Sequence, residues 1–327
     1  MNPSSSRRAV IAAGFVLAAS AATAAPAYHL VDLGLDTSAS AINDHGVVAG
    51  STRNGAAVYR DGAWHGKPAG REAYAIDDAL DLGGYAIDAD YREQGLYWPA
   101  GGSAVALGLP AGESNLAITG VATGQAVGYS TLADGTSRCV YWSEATGTIA
   151  LDIGSGDCYL AGINAAGQMV GRALQDGAAY PTAFIRQDGV VTNLGTLGGA
   201  YSSAAAINAK GHVAVTAWLA DQGGNVIQHV ALYDGRKLVD LGGGLGEVAE
   251  AFGMNDHDDI VGRFYAADRS AHPFVCIDGV MTALDSIVDF GAMKSIQANA
   301  IDNAGVIVGT GFLDRRTHAF MLVPDAR

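Results

Sequence analysis

A short signature recurs along this chain. It opens with an apolar residue, usually Ile, followed by Asn or Asp, with a Gly four residues past the start and an apolar run ending in a second Gly at eight. The clearest copies are Ile42-Asn43…Gly46…Gly50, Ile163-Asn164…Gly167…Gly171 and Ile301-Asp302…Gly305…Gly309. Weaker copies start at Ile76 (Leu80, Gly84), Gly120 (Gly124, Gly128), Ile207 (Gly211, Val215) and Met254 (Asp258, Gly262). Successive starts lie 34, 44, 43, 44, 47 and 47 residues apart, which makes seven copies with one shortened. A unit of that size cannot bury its own apolar face, so it must stack on its neighbours.

Each copy continues in a fixed order. A polar loop leads to a short apolar-aromatic strand, such as Gly95-Leu96-Tyr97-Trp98 or His318-Ala319-Phe320-Met321-Leu322. A turn such as Asp234-Gly235 or Asp278-Gly279 comes next, then a strand like Leu238-Val239-Asp240-Leu241-Gly242. Short strands joined by Gly, Asn and Asp turns make one antiparallel four-stranded sheet per unit. Runs such as Val47-Val48-Ala49 and Val306-Ile307-Val308 lack alternation, as strands covered on both faces do. Charged residues are only 16% of the chain while Gly numbers 45 of 327, which suits buried strands and tight turns and not amphipathic helices.

The two ends of the chain complement each other. The last copy stops near residue 323 without its Leu-Val-Asp-Leu-Gly strand, and that strand stands at residues 30–34, ahead of the first anchor. Such a split favours a ring over an open solenoid, because the N-terminal strand then completes the last unit and removes exposed edges. The expected fold is therefore all-β: a seven-bladed β-propeller of four-stranded repeats of about 44 residues, closed by the N-terminal strand. Residues 25–327 form that single domain, with anchors near 42, 76, 120, 163, 207, 254 and 301.

Residues 1–24 read as a signal peptide: Arg7 and Arg8 precede an apolar stretch from 9 to 19, and Ala22-Thr23-Ala24 fits a cleavage site. Ser6-Arg7-Arg8 matches a twin-arginine signal in part, and general secretion is the expectation. The expected location is the periplasm or outside the cell, with no membrane span, since no later apolar run is long enough. Without Arg7 and Arg8 the chain has 17 basic and 33 acidic residues, a net charge of −16. That surface repels nucleic acid and anionic lipid.

The order Ile-Asn-x-x-Gly-x-x-Val-Gly, His-Ala-Phe, Asp-Leu-Gly resembles the HAF-repeat family of bacterial extracellular proteins. His318-Ala319-Phe320 matches in full, His272-Pro273-Phe274 and Thr182-Ala183-Phe184 match in part, and residues 193–199 look like the family's linker. The resemblance spans nearly all of the mature chain, with copies one to three degenerate. It implies a secreted, β-propeller-like architecture and no established reaction.

Several residues invite a chemical role. Cys139 and Cys158, in an oxidising compartment, suit a disulfide, with separate buried thiols as the alternative. Cys276 is expected to pack. Asp256-His257-Asp258-Asp259 is the densest metal-like run, yet it sits on an anchor turn without Ca-loop spacing, so turn chemistry explains it better. Asp90, Asp134, Asp176, Asp221, Asp268 and Asp314 fall 13 or 14 residues after their anchors, with Arg92, Trp218, Arg263, Phe264, Arg269 and Arg315 nearby. Gathered on one face around the channel mouth, these groups would suit a carbohydrate or a peptide end. The plainer reading is that the aspartates only close hairpins. His229, His272 and His318 recur at one strand start, which points to a structural task, fixing a backbone carbonyl.

Two functions remain. The preferred one is an exported, monomeric binding module for a carbohydrate, peptide or protein, because the repeat is regular and a catalytic site breaks such symmetry. No cofactor is expected for it. The alternative is a propeller hydrolase or lyase acting on sugars or lactones, with a Ca²⁺ in the channel and several acids or imidazoles converging on the axis.

Overall fold

The computed structural model describes residues 27–175, 177–220, 227–243 and 245–325. Residues 1–24, expected to be a signal peptide, and Asp176 and Asp221 lie outside the described residues. Among those described, strands fall into antiparallel units of four in chain order. The first unit is Thr37–Ile42, Val48–Thr52, Gly55–Arg60 and Ala63–Gly66. The fourth is Cys158–Ile163, Met169–Ala173, Thr182–Gln187 and Val190–Gly195. One parallel pair, Gln228 with Val248, links the fifth and sixth units into an eight-stranded sheet. The helical element among the described residues is a single 3₁₀ turn, Leu284–Ser286.

The last unit runs Lys294–Ile301, Ile307–Leu313 and Arg316–Pro324, and its outer strand is the N-terminal Tyr28–Leu35. The register sets Leu30 opposite Leu322, Val31 opposite Met321 and Gly34 opposite Ala319. The short spacing between Ile42 and Ile76 costs no strand: its turns are cut to residues 53–54 and 61–62. In the third unit the anchor position belongs to Val121, one residue beyond Gly120. A two-residue hairpin, with Thr123 at φ 48° and Gly124 at φ 76°, replaces the longer Asn-x-x-Gly turn there.

The packed interior lies between units. Phe184, Phe274 and Phe320, the aromatic residues of the third strands, are fully buried there, and truncating any one costs about 3–5 kcal/mol by the usual core scale. Cys139 and Cys158 form a disulfide with Cα atoms 5.1 Å apart, tying a third strand to the first strand of the next unit.

The first strand of every unit carries a bulge at the same place. The pairing skips from Ala39 to Ala41, Ala73 to Ala75, Ile118 to Gly120, Leu160 to Gly162, Ala204 to Ala206, Ala251 to Gly253 and Ala298 to Ala300. The bulge also explains the second glycine of the signature. A Cβ on Gly50, Gly84, Gly128, Gly171, Gly262 or Gly309 would lie 1.9–2.0 Å from a first-strand carbonyl oxygen. Only a residue without a side chain lets the backbones approach so closely. The fifth unit has Val215 there, which nothing in the structure explains.

Candidate ligand site at one end of the axial channel

First strands of consecutive units touch one another, and the first strand of the last unit touches that of the first. These strands border two cavities, one among the anchor turns and one at the bulges.

The anchor turns crowd one end, around a cavity of about 310 Å³. Here the Asn of the signature does two jobs. Its Oδ1 accepts amides of its own turn, as Asn164 does from Ala166 and Gln168. Its Nδ2 donates to the backbone oxygen of the next turn: Asn43 to Asp77, Asn164 to Asn208, Asn208 to Asn255 and Asn255 to Asp302, at 2.9–3.1 Å. A second set of bonds runs one residue further on. The Ala209 amide donates to Asp256, the Asp256 amide to Asn303, the Asn303 amide to Asp44 and the Asp44 amide to Asp78. In the acidic run 256–259, Asp256 and Asp258 accept from the preceding unit and Asp259 bonds Asn255 within its own turn, and among the described residues no group of three or more His, Cys, Asp or Glu is arranged to hold a metal ion.

At the other end the cavity is wider, about 550 Å³, and its wall comes from the bulges. Ser40, Tyr74, Thr119, Ala161, Phe252 and Asn299, each the skipped residue of its strand, line it. A bulge re-aims a side chain that regular pleating would point elsewhere. Glu72, Ser38 and Gln297, two residues earlier in their strands, join them. Ser38 and Ser40 both donate to Glu72 Oε1, at 2.6 and 3.4 Å. Tyr74 stacks on Tyr85 with centroids 5.4 Å apart, and Tyr129 lies 5.0 Å from Tyr159. Burial, reinforced by neighbouring phenols and by Glu72 and Glu93, holds the Tyr74 hydroxyl far above its ordinary range. Burial and Glu93 raise that of Tyr129.

Of the described residues singled out from the sequence, Asp90, Arg92, Asp134, Asp268, Arg269, Asp314 and Arg315 lie between second and third strands, while Trp218, Arg263 and Phe264 stand near the ends of second strands. None lines the wide cavity. Asp134 and Asp268 accept the amides of Thr136 and Ser270, which lowers both carboxyls, and Asp314 and Arg315 sit at positive φ in a two-residue turn. Asp90 donates its amide to Asp88, as Arg92 does, and Arg269 takes φ 67° in its turn. Phe264 is buried against the His272 ring. Trp218 stacks between Tyr180 and Tyr201 and donates to Gln228, while Arg263 is bound to Glu250 at 2.6 Å. The mouth residues were missed by the sequence reading. Their signal is the position two before each anchor, where the residue type changes from unit to unit, visible once the third anchor is set at Val121.

The recurring histidines act differently from the expectation. His229, His272 and His318 meet not a backbone carbonyl but a carboxylate of the outer strand or the turn after it: Asp240, Asp285 and Asp32. The sixth unit adds Ser270, whose Oγ lies 2.6 Å from His272 Nε2, in the order of a nucleophile, base and orienting acid. That hydroxyl also lies 2.5 Å from Asp268 Oδ1.

No protein-family model and no curated protein matches the chain. Among solved structures it is similar to the β-propeller domain of the trilobed protease from Pyrococcus furiosus, with TM-score 0.56 and 11% identity over 92% of this chain and 96% of that one. It is also similar to streptogramin B lyase, with TM-score 0.51 and 10% identity over 90% and 98% of the two chains. A third is the Pyrococcus horikoshii acylaminoacyl peptidase, with TM-score 0.50, 12% identity, 90% of this chain and 51% of that one. At these identities the likeness is one of fold, and with the repeating four-stranded units it makes this chain an all-β repeat protein of β-propeller architecture.

Proposed function

We propose that the chain is an exported propeller of seven blades, closed by its N-terminal strand, that binds a ligand at the wide end of its axial channel. Closure is supported by the continuous contact of first strands and by the Asn303–Asp44 latch between last and first units. Export is supported by the pattern of residues 1–24 and by the disulfide, and the motif order supports membership of the HAF-repeat family. The observation that carries the binding reading is the variation at the bulge. The anchors, glycines and turns repeat, while the mouth positions run Ser, Tyr, Thr, Ala, Ala, Phe and Asn. A repeat protein that varies one ring of side chains, six of the seven lining a cavity, has specialised that ring for recognition.

The experiment is a glycan and peptide array probed with the mature protein and with a Tyr74→Ala/Tyr129→Ala variant. Each truncation removes one stacking surface, so bound signal is expected to fall about tenfold or more. Equal signal from the variant would remove the site.

One observation favours the hydrolase alternative: the Ser270–His272–Asp285 arrangement. Two facts weigh against it. The His–Asp pair recurs in two other units without a serine, and Asp268 competes for the Ser270 proton that a base must accept. An alkyl fluorophosphonate, which labels activated serines, is expected to leave Ser270 unmodified. Labelling abolished by His272→Ala would establish the enzyme reading instead.

A further inference from the structure

The hydrogen-bonding capacity left over at the wide mouth narrows what fits there. The hydroxyls of Ser38 and Ser40 are spent on Glu72, that of Thr119 on Leu160 O at 2.7 Å, and the amide of Asn299 on Ala39 O at 2.7 Å. The wall thus spends these four donors internally, and it keeps acceptors. Both serine bonds converge on Oε1 of Glu72, leaving Oε2, and Asn299 keeps its Oδ1. Gln297, Tyr129 and Thr310, whose Oγ1 accepts the Ala39 amide, keep donors beside them.

Charge and aromatic character point the same way. Among the described residues Glu72 is the one charged residue lining the cavity, and Tyr74, Tyr129 and Phe252 offer ring faces or edges around it. Arg263 is held by Glu250 at 2.6 Å, and Arg172 lies over the Tyr159 ring at 4.5 Å. The chain as a whole is strongly acidic, and a cleft lined by one sign of charge concentrates the opposite sign.

We infer that the mouth takes a protonated amine, with the ammonium on Glu72 Oε2 and its carbon chain against Tyr74, Tyr129 and Phe252. This rests on the binding site proposed above and names its ligand class. An ammonium brings donors only, which suit the Glu72 carboxylate and the Asn299 Oδ1, and aromatic faces attract it further.

The test uses calorimetric titration of the mature protein with cadaverine and with pentanediol, the same chain bearing hydroxyls for amines. Cadaverine is expected to bind and to weaken as salt is added; pentanediol is not. Glu72→Gln keeps the serine bonds and the shape but removes the charge, and should lower cadaverine affinity about tenfold with an unchanged melting midpoint. Glu72→Asp, which keeps the charge, should retain part of the binding and guards against a folding defect in the first variant. Absent cadaverine binding, equal binding of the two compounds, or full affinity in Glu72→Gln would each overturn the ammonium assignment. The binding site itself would survive those results if array ligands were still lost on Tyr74→Ala/Tyr129→Ala, and would fall if they were not.

Discussion

At the scale of one residue, the two glycines of the signature are there for different reasons. Gly167 closes a turn at φ 75° with open space around its missing Cβ, whereas a Cβ on Gly171 would lie 1.9 Å from the Tyr159 carbonyl oxygen. The first requires a backbone conformation and the second a backbone contact. Gly167→Ala should cost about 1 kcal/mol, the usual penalty for forcing Ala to positive φ. Gly171→Ala must push two hydrogen-bonded strands apart and should cost on the order of 3 kcal/mol or more. Denaturant titration of both variants checks the order, and equal losses would mean that the bulge does not depend on the glycine. The sequence displays both glycines alike. The difference between them lies in a through-space approach that no spacing rule encodes, so the bulge and the mouth side chains it turns inward were not legible.

At the scale of the element, strand positions and turns were legible because their chemistry is local: Asn or Asp caps its own turn, and Gly supplies the positive φ. The second use of the Asn, as a latch to the next unit, needs the fold to be known. Four anchors carry Asn and donate across, but Asp302 stands at the junction of the last unit with the first and has no amide to donate. Burial raises the Asp302 carboxyl above its ordinary range, against the amides of Ala304 and Val306 that lower it. The folded state therefore holds that proton at pH values where the unfolded chain has released it. Stability contributed by this group is present at low pH and is lost as pH rises through the raised value. Asp302→Asn removes the titration and restores a donor. It should stabilise the protein by about 1 kcal/mol at neutral pH, with the gain shrinking as pH falls through the raised value toward the ordinary carboxylate value of about 4. Melting midpoints of both proteins across that range check the sign, and a gain that grows on acidification would contradict it.

At the scale of the whole molecule, the question is whether the chain responds as a ring or as a row of sheets. The N-terminal strand was legible from the ends of the sequence, since residues 30–34 supply the motif missing after residue 323. It covers the edge of Arg316–Pro324, buries Tyr28 and Leu33, and accepts the Trp64 indole on Leu33 O at 2.7 Å. The strand thus touches the first unit as well as completing the last. In an open row each sheet depends on its neighbours only, and losing a terminal strand frays one end while distant sheets keep their stability. In a ring every sheet has two neighbours, and loosening one junction relaxes the rest. Deleting residues 25–35 should therefore lower the free energy of a single cooperative unfolding transition by at least about 3 kcal/mol, the cost of losing one buried side chain such as Leu33. Hydrogen exchange would locate the effect. In a ring, protection falls in the third and fourth units, far from the deletion, as well as in the last. If only the last unit and its neighbours exchanged faster, the sheets would be acting as an open row, and the proposed closure would be wrong.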